Sequence, residues 1–244
     1  MTGTPMNPLD ALISLGGALP MLVAIGWLIR VPPLSREEGH EAITRQAWEG
    51  LQLTDEHQRA LIRGVRAPDV SLAGILTSAV PSAQRRHALR AWSGDTTAQG
   101  VQDARDFIVS THLRALAMPD GPRRWATFGE VLHCLQDSYS PAHTDRAGGR
   151  IVRMKHWGPL DGLRAAGRGA ARPDEHRFPS DARDSVWRDG ALTDAAQAAV
   201  AASHRYLEIV VRDIEIGVDQ TNLQSDLFSL VDGVPAAETL VGPE

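Results

Sequence analysis

Apolar residues recur at steps of three or four positions along much of the chain, and strict apolar–polar alternation never extends beyond four residues. The clearest stripe lies between Pro122 and about Tyr139. Its apolar members fall one helical turn apart: Trp125, Phe128, Leu132 and Leu135. This spacing places side chains on one face of an α-helix. The pattern therefore predicts an all-α fold, a single multi-helix domain.

Capping residues, prolines and glycines divide the pattern into further helices. The predicted helices start near Ser35, Thr54, Ser82, Asp95 or Thr96, Pro122 and Thr193, and they end near Leu51, Gly64, Trp92, Ala117, Tyr139 and Ile216. The residue before a proline leaves helical geometry, so Ala67-Pro68 predicts a break after the second helix. The stretch from Gly148 to about Pro179 is rich in Gly, Arg and Pro and is predicted to be irregular.

The N-terminal segment is apolar. Ala11 to Ile29 holds no charged residue and is long enough for a membrane span of about 17–25 residues. Three interpretations stay open: a membrane anchor, a signal peptide, and a buried helix of a soluble protein. Ala24-Ile25-Gly26 before Trp27 has the form of a signal-peptide cleavage site, but Met1 to Asp10 lacks the Lys or Arg of a typical signal peptide.

Size and composition suit one large domain or two small ones. The chain has 244 residues, of which 43% are hydrophobic, enough to build a core. We assign residues 35–232 to the helical domain, 1–34 to the N-terminal apolar segment and 233–244 to a loose tail. The net charge of −5 argues against a protein that coats nucleic acids, but it does not exclude a nuclease whose metal ions supply positive charge.

Lys155 is the only lysine, which indicates a GC-rich bacterial codon bias. Cys134 is the only cysteine, so the chain cannot form an internal disulfide. Cys134 lies beside His133 on a predicted helix, where it points away from the face that carries His133. We interpret it as a buried, inert thiol.

Candidate metal ligands are concentrated at the end of the Pro122–Tyr139 helix. His133 and Asp137 are four residues apart, so they lie on one face of the helix, one turn from each other. Pro141 stops the helix, and His143 follows from another direction. Imidazole and carboxylate ligands together suit zinc, so the stretch predicts a zinc site between helices.

The motif His133-x3-Asp137-x5-His143, within LHCLQDSYSPAH, resembles the hallmark of zinc-dependent phospholipases C and the related fungal zinc nucleases. The resemblance covers roughly residues 37 to 165. Further residues match the family's pattern in the same order: His40 at the start of a helix, Asp69 after a proline, His87 on the next helix, and His156 shortly after His143.

The resemblance implies a trinuclear zinc cluster in an α-helical domain. In such a cluster Asp137 would bridge two zinc ions. His40 would bind one of them, and the other bridged zinc would take three further ligands: Asp69, His87 and His133.

The third zinc implied by the resemblance would bind His143, His156 and a carboxylate. That carboxylate would be Asp161, one residue later than in the family. The family also commonly uses the free amine of a mature N-terminal tryptophan, a role that Trp27 could take only after cleavage. Asp69 would serve as catalytic base as well as ligand, accepting a proton from the attacking water.

The leading functional hypothesis is therefore a zinc-dependent phosphodiester hydrolase with two or three zinc ions, most suited to phospholipase C-type cleavage of a phospholipid headgroup. Two alternatives stay open: a zinc nuclease or nucleotidase of the same architecture, and a non-catalytic, membrane-tethered helical zinc protein. Membrane association through residues 11–29 would hold an enzyme near lipid. The expected location is membrane-associated or exported in a bacterium, and no protein partner is implied.

Overall fold

Helices form most of the part of the chain that the structure describes, and the prediction of a mainly helical fold is confirmed. The computed structural model describes residues 39–70, 81–91, 95–156, 186–219, 222–223, 226–227 and 231. The α-helices are α1 (His40–Ala47), α2 (Asp55–Val70), α3 (Thr97–Leu116), α4 (Pro122–Asp137) and α5 (Asp194–Ile216), and a 3-10 helix spans Pro81–His87. Two antiparallel hairpins pair β1 (Thr144–Ala147) with β2 (Arg150–Met154) and β3 (Trp187–Arg188) with β4 (Ala191–Leu192).

Helix α4 lies at the centre of the described core. It packs against α1, α2, α3, α5 and the 3-10 helix, and every residue from Val131 to Asp137 is buried. The stripe that predicted this helix faces the core, with Trp125 at 3% and Leu135 at 1% exposure. Because neighbouring elements cover its other faces as well, the last two turns of α4 carry polar side chains into the interior.

Helices α2 and α4 approach each other closely at two glycines. A Cβ built on Gly64 would lie 1.9 Å from the backbone oxygen of Ala126, and one on Gly129 would lie 2.5 Å from the backbone oxygen of Leu61. A larger residue cannot fit at either position without moving a backbone, so glycine allows the two helices to touch. The close approach brings the end of α2 alongside the polar end of α4.

Helix α2 runs through Pro68 to Val70, so the break predicted at Ala67-Pro68 was wrong. Proline lacks the N–H of a helix interior and disfavours helical geometry in the residue before it. These are local preferences of a few kcal/mol at most, and tertiary packing often overrides them. Here α2 packs along α4, and the continued helix brings Asp69 to its last turn.

Two other predicted helices differ in extent from the observed ones. Helix α1 ends at Ala47 instead of near Leu51, and the chain turns at Gly50, which has a φ of 84°. The helix predicted from Ser82 to about Trp92 is a 3-10 helix over Pro81–His87. In contrast, the predicted starts of α3 and α5 are confirmed at their threonine caps.

A short hairpin follows α4, partly within the stretch that was predicted to be irregular. Its turn is formed by Gly148 and Gly149, with φ values of 57° and 81°. Positive φ at both central residues is the pattern of a type I′ turn, which glycine adopts without strain. The hairpin begins one residue after His143 and ends two residues before His156, so it brings these histidines into one region of the fold.

Several predicted features lie outside the described residues: the segment 1–34 with its apolar run 11–29, Trp27, Asp161 and the tail 233–244. Among the residues that are described, no helix combines the length and apolar character that crossing a membrane requires.

Candidate metal centre

Six of the eight predicted metal ligands converge at the C-terminal end of α4. We call this group the Asp137 cluster, and its members are His40, Asp69, His87, His133, Asp137 and His143. They come from the first residue of α1, the last turn of α2, the end of the 3-10 helix, the last two turns of α4 and the turn before β1. Five separate stretches of chain therefore contribute side chains to one place.

One carboxylate oxygen of Asp137 faces two imidazoles. Its Oδ2 lies 3.1 Å from Nε2 of His133 and 3.3 Å from Nδ1 of His87. These two ring nitrogens are 2.9 Å apart, and Oδ1 of Asp69 lies 3.8 Å from each of them. A tetrahedral zinc with bonds of about 2.1 Å holds its ligand atoms roughly 3.4 Å apart, which is within the observed range. The atoms of His87, His133 and Asp137 therefore form a group that could hold a metal ion, with Asp69 beside it.

The other oxygen of Asp137 faces a second pair of imidazoles. Its Oδ1 lies 3.1 Å from Nε2 of His40 and 3.6 Å from Nε2 of His143. The same nitrogen of His40 lies 3.8 Å from Oδ2 of Asp69. The ligand atoms of His40, Asp69 and His133 also all lie within 4.8 Å of one another. Asp137 and Asp69 thus each present one oxygen to His40 and the other to His87 and His133.

Burial and neighbouring charge act against each other in this cluster. Burial alone would raise the pKa of Asp137, but the nearby histidines, led by His143, hold it well below its usual value. Burial alone would lower the pKa of His40, yet Asp137 and Asp69 raise it to about 9. Burial lowers the pKa of His143. The carboxylate therefore stays ionised and attracts a positive charge, which protons or metal ions can supply.

Two of the histidines are held by their outer nitrogens. Nδ1 of His133 lies 2.9 Å from the backbone oxygen of Val65, and Nδ1 of His143 lies 2.6 Å from that of His87. A carbonyl oxygen can only accept, so each Nδ1 carries the proton and donates it. Nε2 is then the nitrogen that faces Asp137, and in the neutral ring it is the atom that can bind a metal ion.

His87 is oriented the other way. Its Nδ1 faces the cluster, while its Nε2 is buried and has no hydrogen-bond partner in the part of the chain that the structure describes. A ligating histidine normally donates its outer N–H to an oxygen. His87, the last residue of the 3-10 helix, departs from that rule.

The cluster is buried on one side and open on the other. The side chain of Asp137 is 4% exposed and that of His133 is 0% exposed, but the side chain of Asp69 is 48% exposed. A group bound near Asp69 would therefore be in contact with solvent. Structural zinc sites are closed by protein ligands, whereas catalytic sites keep a position for water or substrate. The open side fits the second kind of site.

His156 adjoins the cluster through the backbone. It forms a parallel bridge with Arg90, and the neighbouring Lys155 donates its backbone N–H to the oxygen of His143 over 2.8 Å. The ring of His156 is half-buried and is not among the groups that contact the carboxylates of the Asp137 cluster. Its proposed partner Asp161 lies outside the described residues, so a third ligand set stays a prediction.

Cys134 has the environment expected of an inert thiol. It is fully buried, and its Sγ lies 3.1 Å from the backbone oxygen of Arg85. Burial raises the pKa of the thiol, so it remains protonated at neutral pH. Cys134 therefore supplies no ligand, although it is next to His133 in sequence.

Gln136 is a polar member of the site that the sequence did not indicate. Its Oε1 lies 2.8 Å from Nδ1 of His40. The two residues are 96 positions apart, so no local spacing relates them. The available hint is that Gln136 lies between Leu135 and Asp137 near the end of a core-facing helix, where a buried amide must have partners.

Comparison of the chain with protein-family models, with curated proteins and with solved structures found no match. The resemblance to zinc-dependent phospholipases C therefore depends on the motif residues and their order. The geometry adds an independent point, because buried His and Asp side chains from separate stretches form groups that could hold a metal ion.

Proposed function

We propose that this protein is a zinc-dependent phosphodiester hydrolase that cleaves phospholipids in the manner of a phospholipase C. The observation that carries the proposal is the two-sided environment of Asp137. One of its oxygens faces His87 and His133. The other faces His40 and His143. A carboxylate with imidazole nitrogens at both oxygens is suited to join two cations, as in hydrolases with metal ions about 3.5–4 Å apart.

Two or three zinc ions are proposed. The Oδ2 side of Asp137 would hold one zinc together with three further ligands, namely Asp69, His87 and His133. The Oδ1 side would hold a second zinc through His40. The ligands of a third zinc, drawn from the sequence resemblance, would be His143, His156 and Asp161. Zinc is favoured over magnesium or calcium because imidazole is the main ligand and those ions prefer oxygen.

When bound, zinc lowers the pKa of water to about 7 and offsets negative charge on the phosphoryl oxygens. The protein's own groups supply the rest of the chemistry. His133 and His143 would offer Nε2 to a metal ion, because Nδ1 of each donates to a backbone oxygen. Asp69 would accept a proton from water, a role that is supported by its half-exposed carboxylate at the border of the buried cluster.

A phospholipid is the favoured substrate class. The apolar run 11–29 would keep the enzyme near lipid, and the net charge of −5 gives no general attraction to a long polyanion. The exposed side of Asp69 supports an enzyme over a protein in which zinc only stabilises the fold.

The experiment is a substrate comparison with the purified full-length chain. Zinc-loaded protein is incubated with phosphatidylcholine vesicles and with single-stranded DNA, with and without a zinc chelator. The expected result is chelator-sensitive release of diacylglycerol and phosphocholine, absent in Asp137→Asn and retained in His204→Gln, which changes a half-buried histidine outside the cluster. Cleavage of DNA alone would replace the lipid substrate by a nucleic acid. If neither substrate is cleaved by zinc-loaded protein, the enzyme proposal is wrong.

A further inference from the structure

Gln136 connects His40 to two hydroxyl groups in the interior. Its Oε1 lies 2.8 Å from Nδ1 of His40, and its Nε2 lies 2.9 Å from Oγ1 of Thr44 and 3.3 Å from Oγ of Ser203. Gln136 is 2% exposed, and Thr44 and Ser203 are fully buried. The four residues come from α1, α4 and α5, so the network ties three helices together beside the Asp137 cluster.

The hydroxyl of Thr44 decides how the amide of Gln136 is oriented. Oγ1 of Thr44 donates its proton to the backbone oxygen of His40 over 2.7 Å. Its oxygen can then only accept from Gln136, so Gln136 must present its NH₂ to Thr44 and its carbonyl oxygen to His40. The orientation of the amide is thus determined by hydrogen-bond chemistry and not only by shape.

The orientation of the amide in turn decides which nitrogen of His40 carries a proton. A carbonyl oxygen accepts, so Nδ1 of His40 must be the donor. The other nitrogen, Nε2, is left to face Oδ1 of Asp137 at 3.1 Å and Oδ2 of Asp69 at 3.8 Å. For a neutral imidazole this is the tautomer with its lone pair directed at the two carboxylates.

We propose that Gln136 is a positioning residue that fixes the tautomer of His40 through Thr44 and Ser203, and so controls metal binding on the Oδ1 side of Asp137. The inference depends on the proposed zinc site. It adds that Gln136 determines whether the zinc position beside His40 is occupied. For His133 and His143, the backbone oxygens of Val65 and His87 take this role. Among the four described imidazoles of the cluster, only His40 has a side-chain amide at its outer nitrogen.

A purely structural role for Gln136 predicts a different result. A buried amide with three partners stabilises the fold wherever it lies, and its loss would lower stability without selecting one zinc position. The positioning role predicts that changing Gln136 weakens one zinc and leaves the other unchanged. Loss of an outer partner of a metal-binding histidine typically reduces affinity about 10- to 100-fold.

The test titrates Zn²⁺ alone against the full-length protein and measures stoichiometry and affinity by competition with a chromophoric chelator. Gln136→Leu should lose one zinc or bind it about 10- to 100-fold more weakly, while the tighter zinc is retained. Gln136→Glu keeps an acceptor for Nδ1 of His40 and should restore binding. Gln58→Leu is the matched control, because the half-buried amide of Gln58 donates to the backbone oxygen of Leu53 and contacts no ligand.

A second readout follows the tautomer directly. In chelator-treated protein, side-chain ¹⁵N chemical shifts of the neutral His40 ring should show the proton at Nδ1 in the wild type, and this signature should be lost in Gln136→Leu and weakened in Thr44→Val. If Gln136→Leu binds every zinc as tightly as the wild type with an unchanged His40 signature, the positioning role is wrong and the metal centre stands. If the wild type binds no zinc, both proposals are wrong.

Discussion

The described core contains two groups of histidine and aspartate, and they differ in what their nitrogens contact. One is the Asp137 cluster. The other, here called the His112 group, consists of His112, Tyr206 and Asp213, and it links α3 to α5. In the His112 group, Nε2 lies 3.0 Å from Asp213 and Nδ1 lies 3.2 Å from the hydroxyl of Tyr206. Both nitrogens of the single imidazole therefore have a protein partner.

The His112 group is also closed to solvent, and protein groups balance the charge of its carboxylate. The side chains of His112 and Asp213 are 0% and 1% exposed. Burial lowers the pKa of His112 in spite of Asp213, so the ring is neutral, donates to the carboxylate and accepts from Tyr206. Arg212 contacts the other carboxylate oxygen at 3.1 Å. Nothing in this arrangement requires an added cation.

The Asp137 cluster has the opposite properties. It brings four imidazoles to two carboxylates, and the facing nitrogens of His87 and His133 are only 2.9 Å apart. One proton between those two nitrogens makes a single hydrogen bond, whereas a cation bound there would use both nitrogens as ligands. The comparison teaches that a candidate metal centre is distinguished from a structural histidine by several imidazoles that share two carboxylates, one of them half-exposed, not by burial or residue type alone.

The largest expected effect comes from Asp137→Asn. The substitution removes the charge that both sides of the cluster share, so zinc affinity should fall by more than about 100-fold, beyond the usual cost of losing an outer partner. Equilibrium dialysis followed by metal analysis measures the change. The matched control is Asp213→Asn, which removes a carboxylate of the His112 group and should leave zinc binding intact. Equal zinc loss in both variants would show that the Asp137 cluster and the His112 group do not differ in metal binding.

The open side of the cluster is tested by Asp69→Asn. A positioned general base contributes about 100- to 10,000-fold to the rate, so kcat should fall within that range. Zinc should still bind at Asp137, because the amide removes only the half-exposed ligand. The measurement is steady-state hydrolysis of the best substrate alongside zinc stoichiometry. A variant with unchanged kcat would show that Asp69 is not the base.

For the His112 group, the expected effect is on stability alone. His112→Leu leaves the carboxylate of Asp213 and the hydroxyl of Tyr206 without their buried partner, which should cost about 2–4 kcal/mol. Denaturant unfolding measures the free energy, and zinc stoichiometry should match that of the wild type. A variant that keeps its stability but loses zinc would show that His112 belongs to the metal site. The proposed difference between the two groups would then be wrong.

The smallest expected effect is a difference in pH dependence between metal-free and zinc-loaded protein. The pKa of His40 rises from 6.5 to about 9 on folding without metal. Its proton therefore stabilises the metal-free fold fully below pH 6.5, and this contribution, at most about 3 kcal/mol, is lost as the pH rises through 9. Protons compete with zinc for the same ligands, so the zinc-loaded protein should gain stability as the pH rises from about 5 to 8.

Unfolding curves recorded with chelator and with zinc across this pH range measure the difference. The variant His40→Gln should flatten the decline of the metal-free protein above pH 6.5. Parallel pH profiles in chelator and in zinc would show that zinc and the His40 proton do not occupy the same place.

The sequence predicted what local chemistry determines. The stripe from Trp125 to Leu135 predicted α4, and the threonine caps predicted the starts of α3 and α5. The spacing of His133 and Asp137 predicted that they share a face, and the two lie 3.1 Å apart. Each of these features depends on residues within a few turns of one another, so a single sequence contains enough information.

What the sequence could not predict depends on distant packing. The helix through Pro68 is stabilised by α4, more than fifty residues later, and the hydrogen bond between His40 and Gln136 spans 96 positions. The order of His40, Asp69 and His87 suggested that they share a site, but their distances to Asp137 follow from how the helices cross. The glycine contact between Gly64 and Ala126 that sets this crossing has no local signature.

The most direct test of the metal centre is anomalous diffraction from crystals of the full-length chain grown with zinc, recorded above and below the zinc absorption edge. We predict one peak within bonding distance of Oδ2 of Asp137, Nδ1 of His87 and Nε2 of His133. A second peak should lie within bonding distance of Oδ1 of Asp137, beside His40. A map without a zinc peak at Asp137, in which only protonated imidazoles contact its carboxylate, would contradict it.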